Sequence, residues 1–282
     1  MNLPLPLLSP RLAAYYGVAR YAADPRRHGW RNELYDLRLE HLTLRFPGLP
    51  PALAGLRIAH LSDLHTSRWI QADYLRSAAN LVLAQRPDLI VLTGDFIHHE
   101  REVQRYAGEC ARGLAGLRAP LGVFAVLGNH DYWGNPSLVM RAFREVGIPT
   151  LVNRACRVAV GDDALWLIGL DDARHGLPDL PAALADVPDG AFTVLLAHEP
   201  DVADVAQGYG VHLQLSGHSH GGQVHIPGVP TTWLPLLGRK YPRGLYRVGG
   251  MWLYTSRGLG SAFPPIRHNC PPEVALLQLE RG

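Results

Sequence analysis

Cysteine is scarce in this chain and nowhere paired. Cys110, Cys156 and Cys270 are odd in number and far apart, and no Cys-x-x-Cys occurs. A disulfide framework and a cysteine zinc site are thereby excluded, leaving isolated reduced thiols. No stretch reaches the roughly 18 to 20 apolar residues that span a bilayer. The segment Leu3-Pro4-Leu5-Pro6-Leu7-Leu8 has no basic residues before it, and its prolines disfavour a helix. A cleaved signal peptide is therefore not expected, and the expected location is cytoplasmic, with peripheral contact at the inner membrane left open. Excess charge is also missing. The 27 basic and 25 acidic residues leave +2, with no basic stripe interleaved with aromatics, so no nucleic-acid partner is expected. Repeats and low-complexity tracts are absent, and no segment points to a protein partner.

What is present is a large apolar fraction, 47% of 282 residues, enough for a substantial core. One domain over residues 37–282 is expected, preceded by an extension over 1–36. Within that extension the residues Ser9 to Ala23 predict a short helix, with Ser9 as its cap and Pro10 at its first position. Leu12, Tyr15, Tyr16 and Ala19 share a face flanked by Arg11 and Arg20, suited to a membrane surface or to packing on the domain.

Apolar periodicity lays out the rest. Leu37 and Leu39, then Leu42, Leu44 and Phe46 one register later, predict an edge strand with a bulge near Glu40-His41. Buried strands are expected at Leu56–Leu61, Leu89–Thr93 and Val123–Leu127, with helices over Tyr74–Gln85, Val103–Leu117 and Pro136–Val146, the last capped by Asn135. Past residue 150 strands dominate. A pair turns at Gly161-Asp162-Asp163, buried strands follow at Phe192–Ala197 and Val211–Ser216, and Gly244–Val248, Met251–Ser256 and Glu273–Leu279 read as a meander. Two packed sheets with helices on their outer faces are the expected architecture.

Five of these strands end in residues that bind metals: Asp63-Leu64-His65, Gly94-Asp95, Gly128-Asn129-His130-Asp131, Ala197-His198-Glu199 and Gly217-His218-Ser219-His220. In extended backbone i and i+2 point the same way, so Asp63 and His65, or His218 and His220, can grip one ion. Asp95 follows a glycine at a strand end, where one carboxylate can bridge two cations or merely cap a turn. Asn129 offers a neutral oxygen. His130 can be aimed at substrate rather than metal, and Asp131 either orients it or stabilises the turn. The ligand set Asp63, His65, Asp95, Asn129, His198, His218 and His220 is too large for one tetrahedral zinc and suits two divalent ions sharing a carboxylate. Mixed imidazole, amide and carboxylate favours Mn, Fe, Zn or Co. His60, His98, His99, His175 and His225 read as surface or structural histidines, and Asp171-Asp172 reads as a turn or as a reach into the cleft.

The five motifs in this order resemble the calcineurin-like metallophosphoesterases, from about residue 55 to the C-terminus. Leu61–His65, Ser216–Gln223, Gly238–Tyr241, Tyr254–Gly260 and Arg267–Glu273 look like the bacterial YkuE/YaeI-type phosphodiesterases, whose usual N-terminal membrane or export segment is not evident here. The resemblance implies a four-layer α/β/β/α sandwich of two mixed β-sheets flanked by helices. It implies one ion on Asp63, His65 and His220, another on Asn129, His198 and His218, and Asp95 between them. A metal-bridging hydroxide would attack phosphorus, and His130 would be the catalytic side chain, with Asp63 and Asp131 helping to orient it. The expected enzyme is a metal-dependent phosphoesterase acting on a phosphodiester or diphosphate in a phosphorylated small molecule or lipid. A UDP-diacylglucosamine-type pyrophosphohydrolase is one alternative, and a non-catalytic metal-binding scaffold another. The loop Ile226–Lys240, with Trp233, Leu234, Leu236 and Leu237 beside Arg239, Lys240 and Arg243, either meets an amphiphilic substrate or packs as a lid.

Overall fold

Short runs of Leu, Ile and Val buried on both faces can only sit in the middle of a layered structure, and that is where the computed structural model places them. It describes residues 31–98, 102–226, 228–229, 231 and 234–282. The expected helix at Ser9–Ala23, His99 and Trp233 lie outside the described residues.

The first sheet has the order β1 (Arg38–Phe46), β11 (Glu273–Arg281), β2 (Arg57–Leu61), β3 (Leu89–Thr93), β4 (Val123–Val126). The second runs β5 (Arg154–Val160), β6 (Asp163–Gly169), β7 (Phe192–Leu196), β8 (Leu213–Ser216), β10 (Met251–Thr255), β9 (Gly244–Val248). Both are mixed: β2, β3 and β4 pair in parallel, as do β6, β7, β8 and β10, while β11–β2, β5–β6 and β9–β10 are antiparallel. Helices α1 (Ala72–Ala84), α2 (Val103–Leu114) and α4 (Pro136–Glu145) cover the outer face of the first sheet, and the short α3 (Asn129–Trp133) follows β4 directly. Short helices α5 (Leu180–Leu184) and α6 (Ala203–Ala206) flank the second. A separate apolar core, including Leu44, Ile58, Val91, Leu167, Val194 and Leu215, lies between the sheets. This is the expected four-layer α/β/β/α sandwich. At α4 the Asn135 side chain accepts from the Leu138 N–H at 3.3 Å, the predicted cap.

Two expectations fail for one reason. No bulge interrupts β1: it pairs with β11 in unbroken parallel register, Glu40 opposite Ala275 and His41 opposite Leu276. Leu37 and Leu39 pack on the helix-side core, whereas Leu42, Leu44 and Phe46 pack between the sheets. The phase change in the sequence records a strand covered on both faces. Likewise Glu273–Arg281 does not continue a meander from β9 and β10. It crosses to the first sheet and inserts between β1 and β2, where Val274–Leu277 and Leu279 are buried.

The parallel strands β2, β3, β4, β7 and β8 carry their C-terminal ends to one edge of the sandwich, and all five motifs follow there. Beneath that edge a polar chain joins β2 to β3: His60 Nε2 lies 2.8 Å from Thr93 Oγ1, which donates to Ser62 Oγ at 2.8 Å. Burial holds the His60 imidazole neutral, its pKa pushed down to about 3. An unfolded histidine takes up its proton near pH 6.5, so between there and about pH 3 only the unfolded chain gains it. This contribution is complete above pH 6.5 and is lost as pH falls. Each pH unit corresponds to 1.36 kcal/mol, or about 3 kcal/mol between pH 6.5 and 4. Denaturant titrations across that range should show a shallower pH slope for His60→Gln than for the unsubstituted protein.

Candidate metal centre

The strand ends do not run straight into the motifs. Asp63, His65, Asp95, His218 and His220 all have positive φ, between 47° and 70°. Left-handed backbone in non-glycine residues costs roughly 1–3 kcal/mol each and persists only where neighbours enforce it. Here the enforcement is mutual. The Asp63 N–H donates to the Gly94 carbonyl at 3.0 Å, the His65 N–H donates to the Asp95 carbonyl at 2.9 Å, and the Asp63 carboxylate accepts from the His218 N–H at 3.0 Å. Two glycines permit the approach. A Cβ on Gly217 would collide with Ser62 Oγ and the Asp63 carboxylate, and one on Gly128 would collide with Asp95.

The side chains converge as two buried groups with one shared member. Asp63, His65, Asp95 and His220 form one, and Asp95, His198 and His218 the other; ligand atoms within each group lie inside 4.8 Å of one another. Asp95 Oδ2 lies 3.5 Å from His65 Nε2 and 3.2 Å from His198 Nε2, and His220 Nε2 lies 3.4 Å from Asp63 Oδ1. Outer partners aim the rings. His198 Nδ1 faces the Thr93 carbonyl at 2.6 Å, and His218 Nε2 faces the Leu236 carbonyl at 2.9 Å. In each ring this leaves the other nitrogen for the cluster, as in metal-binding histidines. Asn129 Oδ1 is buried without a hydrogen-bond partner, and His198 Nε2 faces only the Asp95 carboxylate at 3.2 Å. An orphaned buried acceptor is costly unless something absent from the polypeptide meets it, and a cation suits the amide oxygen. Six of the seven expected ligands are therefore brought together, in a donor set that fits divalent metal, and Asn129 is buried just past the end of the neighbouring strand β4.

The electrostatics agree. Burial drives His65 and His220 well below the ordinary histidine pKa and His218 to about 3, so these rings are neutral, the ligand form. Burial pushes Asp63 up to about 7. It also opposes ionisation of Asp95, but the facing imidazoles, His198 first, carry that carboxyl well below its usual range. Against its own burial, His198 is raised well above normal by Asp95. A field that favours positive charge at His198 Nε2 favours a metal cation in the same position.

His130 stands apart from the shared groups. Its backbone N–H donates to Asp95 Oδ1 at 2.8 Å, and its Nδ1 lies 2.8 Å from the His98 carbonyl. The expected orienting role of Asp131 is not what the geometry offers. Its Oδ1 accepts the Phe96 and Ile97 N–H groups and its Oδ2 the Gly128 N–H, so it ties β3's exit loop to β4's. Asp63 is likewise spent on His218 and His220. Asp171 and Asp172 are turn residues, accepting the Leu177, Arg174 and His175 N–H groups.

Several residues at the site escape a reading by motif. His98, expected to be surface or structural, is buried with its Nδ1 3.2 Å from His65 Nδ1 and its ring stacked 5.7 Å from His130. It sits three residues past Asp95 on the same loop, which was the available signal. Arg267 is wholly buried and donates to the carbonyls of Arg257, Gly258, Gly260 and Cys270. That clamps the loop after β10, whose Gly260 N–H donates to the Asp63 carbonyl at 2.7 Å. The Trp133 ring packs tilted against His130, centroids 4.2 Å apart, and donates through Nε1 to His175 Nε2 at 2.9 Å. The 226–240 loop does reach the centre, through Leu236 on His218. Among the described residues no helix is long and apolar enough to cross a membrane.

Comparison with known proteins follows the same lines. The sequence profile of the calcineurin-like phosphoesterases matches residues 56–222. The chain is 32% identical to the metallophosphoesterase YkuE of Bacillus subtilis, over 94% of this chain and 90% of that one. It is 34% identical to the phosphodiesterase YaeI of Escherichia coli over 80% and 83%. It is 29% identical to the UDP-2,3-diacylglucosamine pyrophosphatase LpxG of Chlamydia trachomatis over 88% and 92%. Among solved structures, the sulfate thiohydrolase SoxB of Thermus thermophilus superposes with a TM-score of 0.51 at 15% identity, over 75% of this chain and 53% of that one, a likeness of fold alone. A profile spanning more than half the chain, with a third of residues shared end to end with YkuE, means that this protein belongs to the calcineurin-like phosphoesterase family and is a hydrolase.

Proposed function

We propose that the protein hydrolyses a phosphodiester or diphosphate with two divalent ions, Asp63, His65 and His220 holding one, Asn129, His198 and His218 the other, and Asp95 shared. The observation that carries this reading is the pair of buried ligand groups with Asp95 common to both. Bound ions of this kind polarise phosphoryl oxygens and acidify a water enough for attack near neutral pH. The protein's own part is to hold seven ligands rigidly at five strand ends and to place His130 beside them. With Nδ1 committed to the His98 carbonyl, His130 Nε2 is the atom that donates to a phosphoryl oxygen or returns a proton to the leaving oxygen.

An amphiphilic, lipid-linked substrate suits the rim. Trp133, Leu177, Val229, Leu236 and Phe263 are exposed, Trp133 at the end of the helix that begins at Asn129 and Leu236 on the loop whose carbonyl faces His218. The name of the Chlamydia relative, a pyrophosphatase of a diacylated sugar nucleotide, supports the same class. Contact with a membrane surface goes with that substrate.

The test is reconstitution. Protein stripped of metal should be inert toward bis(4-nitrophenyl) phosphate, and Mn²⁺ or Zn²⁺ should raise turnover by more than about 100-fold. Absence of metal-dependent turnover, together with no bound metal by elemental analysis, would favour the scaffold alternative and sink the enzymatic reading.

A further inference from the structure

Beside the metal ligands lies a cation with nothing to pair with. Arg174 is partly buried, and among the described residues its guanidinium has no ion pair or side-chain hydrogen bond. Arg267 and Arg257, also wholly or partly buried at this edge, are committed, Arg267 to four carbonyls and Arg257 to Glu40 and Glu273. An unpaired, half-desolvated guanidinium is an unusual thing to maintain, and its planar fork matches phosphate oxygens.

The loop that carries it is built rather than slack. Asp172 Oδ1 accepts the N–H groups of Arg174 and His175 at 3.1 and 2.7 Å, and the Gly176 N–H donates to the Asp172 carbonyl at 3.1 Å. On one side the Ala173 N–H donates to Glu199 Oε2 at 3.1 Å, next to the ligand His198. On the other, His175 is tied to Trp133, whose ring packs against His130. Arg174 is therefore suspended between anchors that flank the second ligand group and His130. Its charge reaches His218, depressing that ring's pKa further below the value set by burial and by His198.

We infer that Arg174 binds a second phosphoryl group, adjacent to the one held over the ligand clusters, and so selects diphosphates over simple diesters. This rests on the metal-dependent reading above and sharpens it. One phosphorus lies against Asp95 and its partners, and the next carries its charge to Arg174. Trp133 and His175 link the Arg174 loop to His130.

Mn²⁺-loaded protein, freed of excess metal, can be titrated calorimetrically with methylenediphosphonate and, separately, with methylphosphonate. In Arg174→Ala the diphosphonate should bind about 10- to 100-fold more weakly, the range expected for one charge-assisted contact, while methylphosphonate affinity moves by less than about threefold. Arg174→Lys should recover part of the loss, since it restores charge without the fork. Equal diphosphonate affinity in Arg174→Ala and the unsubstituted protein would overturn the inference. So would parallel weakening of both ligands with loss of manganese, which would mark Arg174 as structural. If the unsubstituted protein holds no manganese by elemental analysis, the reading of the centre itself fails, and this inference with it.

Discussion

Asp95→Asn protein should fold and yet hold neither ion. Asp95 is the only side chain common to both ligand groups, with Oδ2 facing His65 on one side and His198 on the other. Asparagine keeps the volume, and its amide oxygen can still accept the His130 N–H that Asp95 Oδ1 takes at 2.8 Å. What it removes is the negative charge between two cations, and it turns one oxygen into a donor pointed at imidazoles. Changing an outer partner of a metal ligand costs 10- to 100-fold in affinity; neutralising a shared ligand should cost more than about 100-fold at both positions. Asp95→Ala adds a second injury, because His198 and the His130 N–H lose their buried partner. Breaking such a pair costs about 3–5 kcal/mol. Elemental analysis of the two variants beside thermal melts separates the effects: both should lack metal, and only Asp95→Ala should melt far lower. Asp95→Asn with two ions still bound would remove the shared carboxylate from the account. Turnover should fall with metal content and return partly at high added Mn²⁺, because Asp63, His65, His220, Asn129, His198 and His218 remain.

Much of this was legible in the chain, and the reason is topological. Parallel strands put their C-terminal ends on one edge, so residues 155 positions apart, such as His65 and His220, meet without any signal beyond apolar runs that stop at Asp, Asn or His. Where the chain doubles back antiparallel, the same logic weakens. The run at Glu273–Arg281 declares a buried strand, but nothing in it says which sheet; its place is set by Tyr254 donating to Glu273 across the sheets at 2.6 Å and by the backbone ladder to β1. Residues that shape the site from behind were invisible for a related reason. Arg267 acts through backbone carbonyls, which have no sequence signature, and Arg174 is distinguished only by lacking a partner. His98 looked like any histidine near a strand end, because its role depends on a ring-to-ring approach to His65 that only the left-handed backbone at Asp95 brings about.

His130→Ala separates chemistry from metal binding. Both ligand groups that share Asp95 are complete without His130, and its hydrogen bond to Asp95 comes from the backbone N–H, which alanine retains. Metal content should therefore match that of the unsubstituted protein. Turnover should not, since the substitution deletes a preorganised donor next to developing phosphoryl charge and removes the proton source for the leaving oxygen. Loss of the donor alone costs about 100- to 1000-fold. The proton-transfer part adds a dependence on leaving group. A 4-nitrophenolate departs without help, so with bis(4-nitrophenyl) phosphate the deficit should stay near 100-fold. An alkoxide must be protonated as it leaves, so with an alkyl ester of the same phosphate the deficit should grow toward 10,000-fold, the upper range for general-acid catalysis. His130→Gln, which can donate a hydrogen bond but cannot give up a proton at neutral pH, should recover activity on the nitrophenyl ester and little on the alkyl one. Equal deficits on both esters in His130→Ala would confine His130 to charge stabilisation. Loss of metal in His130→Ala would instead move it into the ligand set with its neighbours His65 and His98, the third cluster of nitrogen atoms within 4.8 Å at this edge.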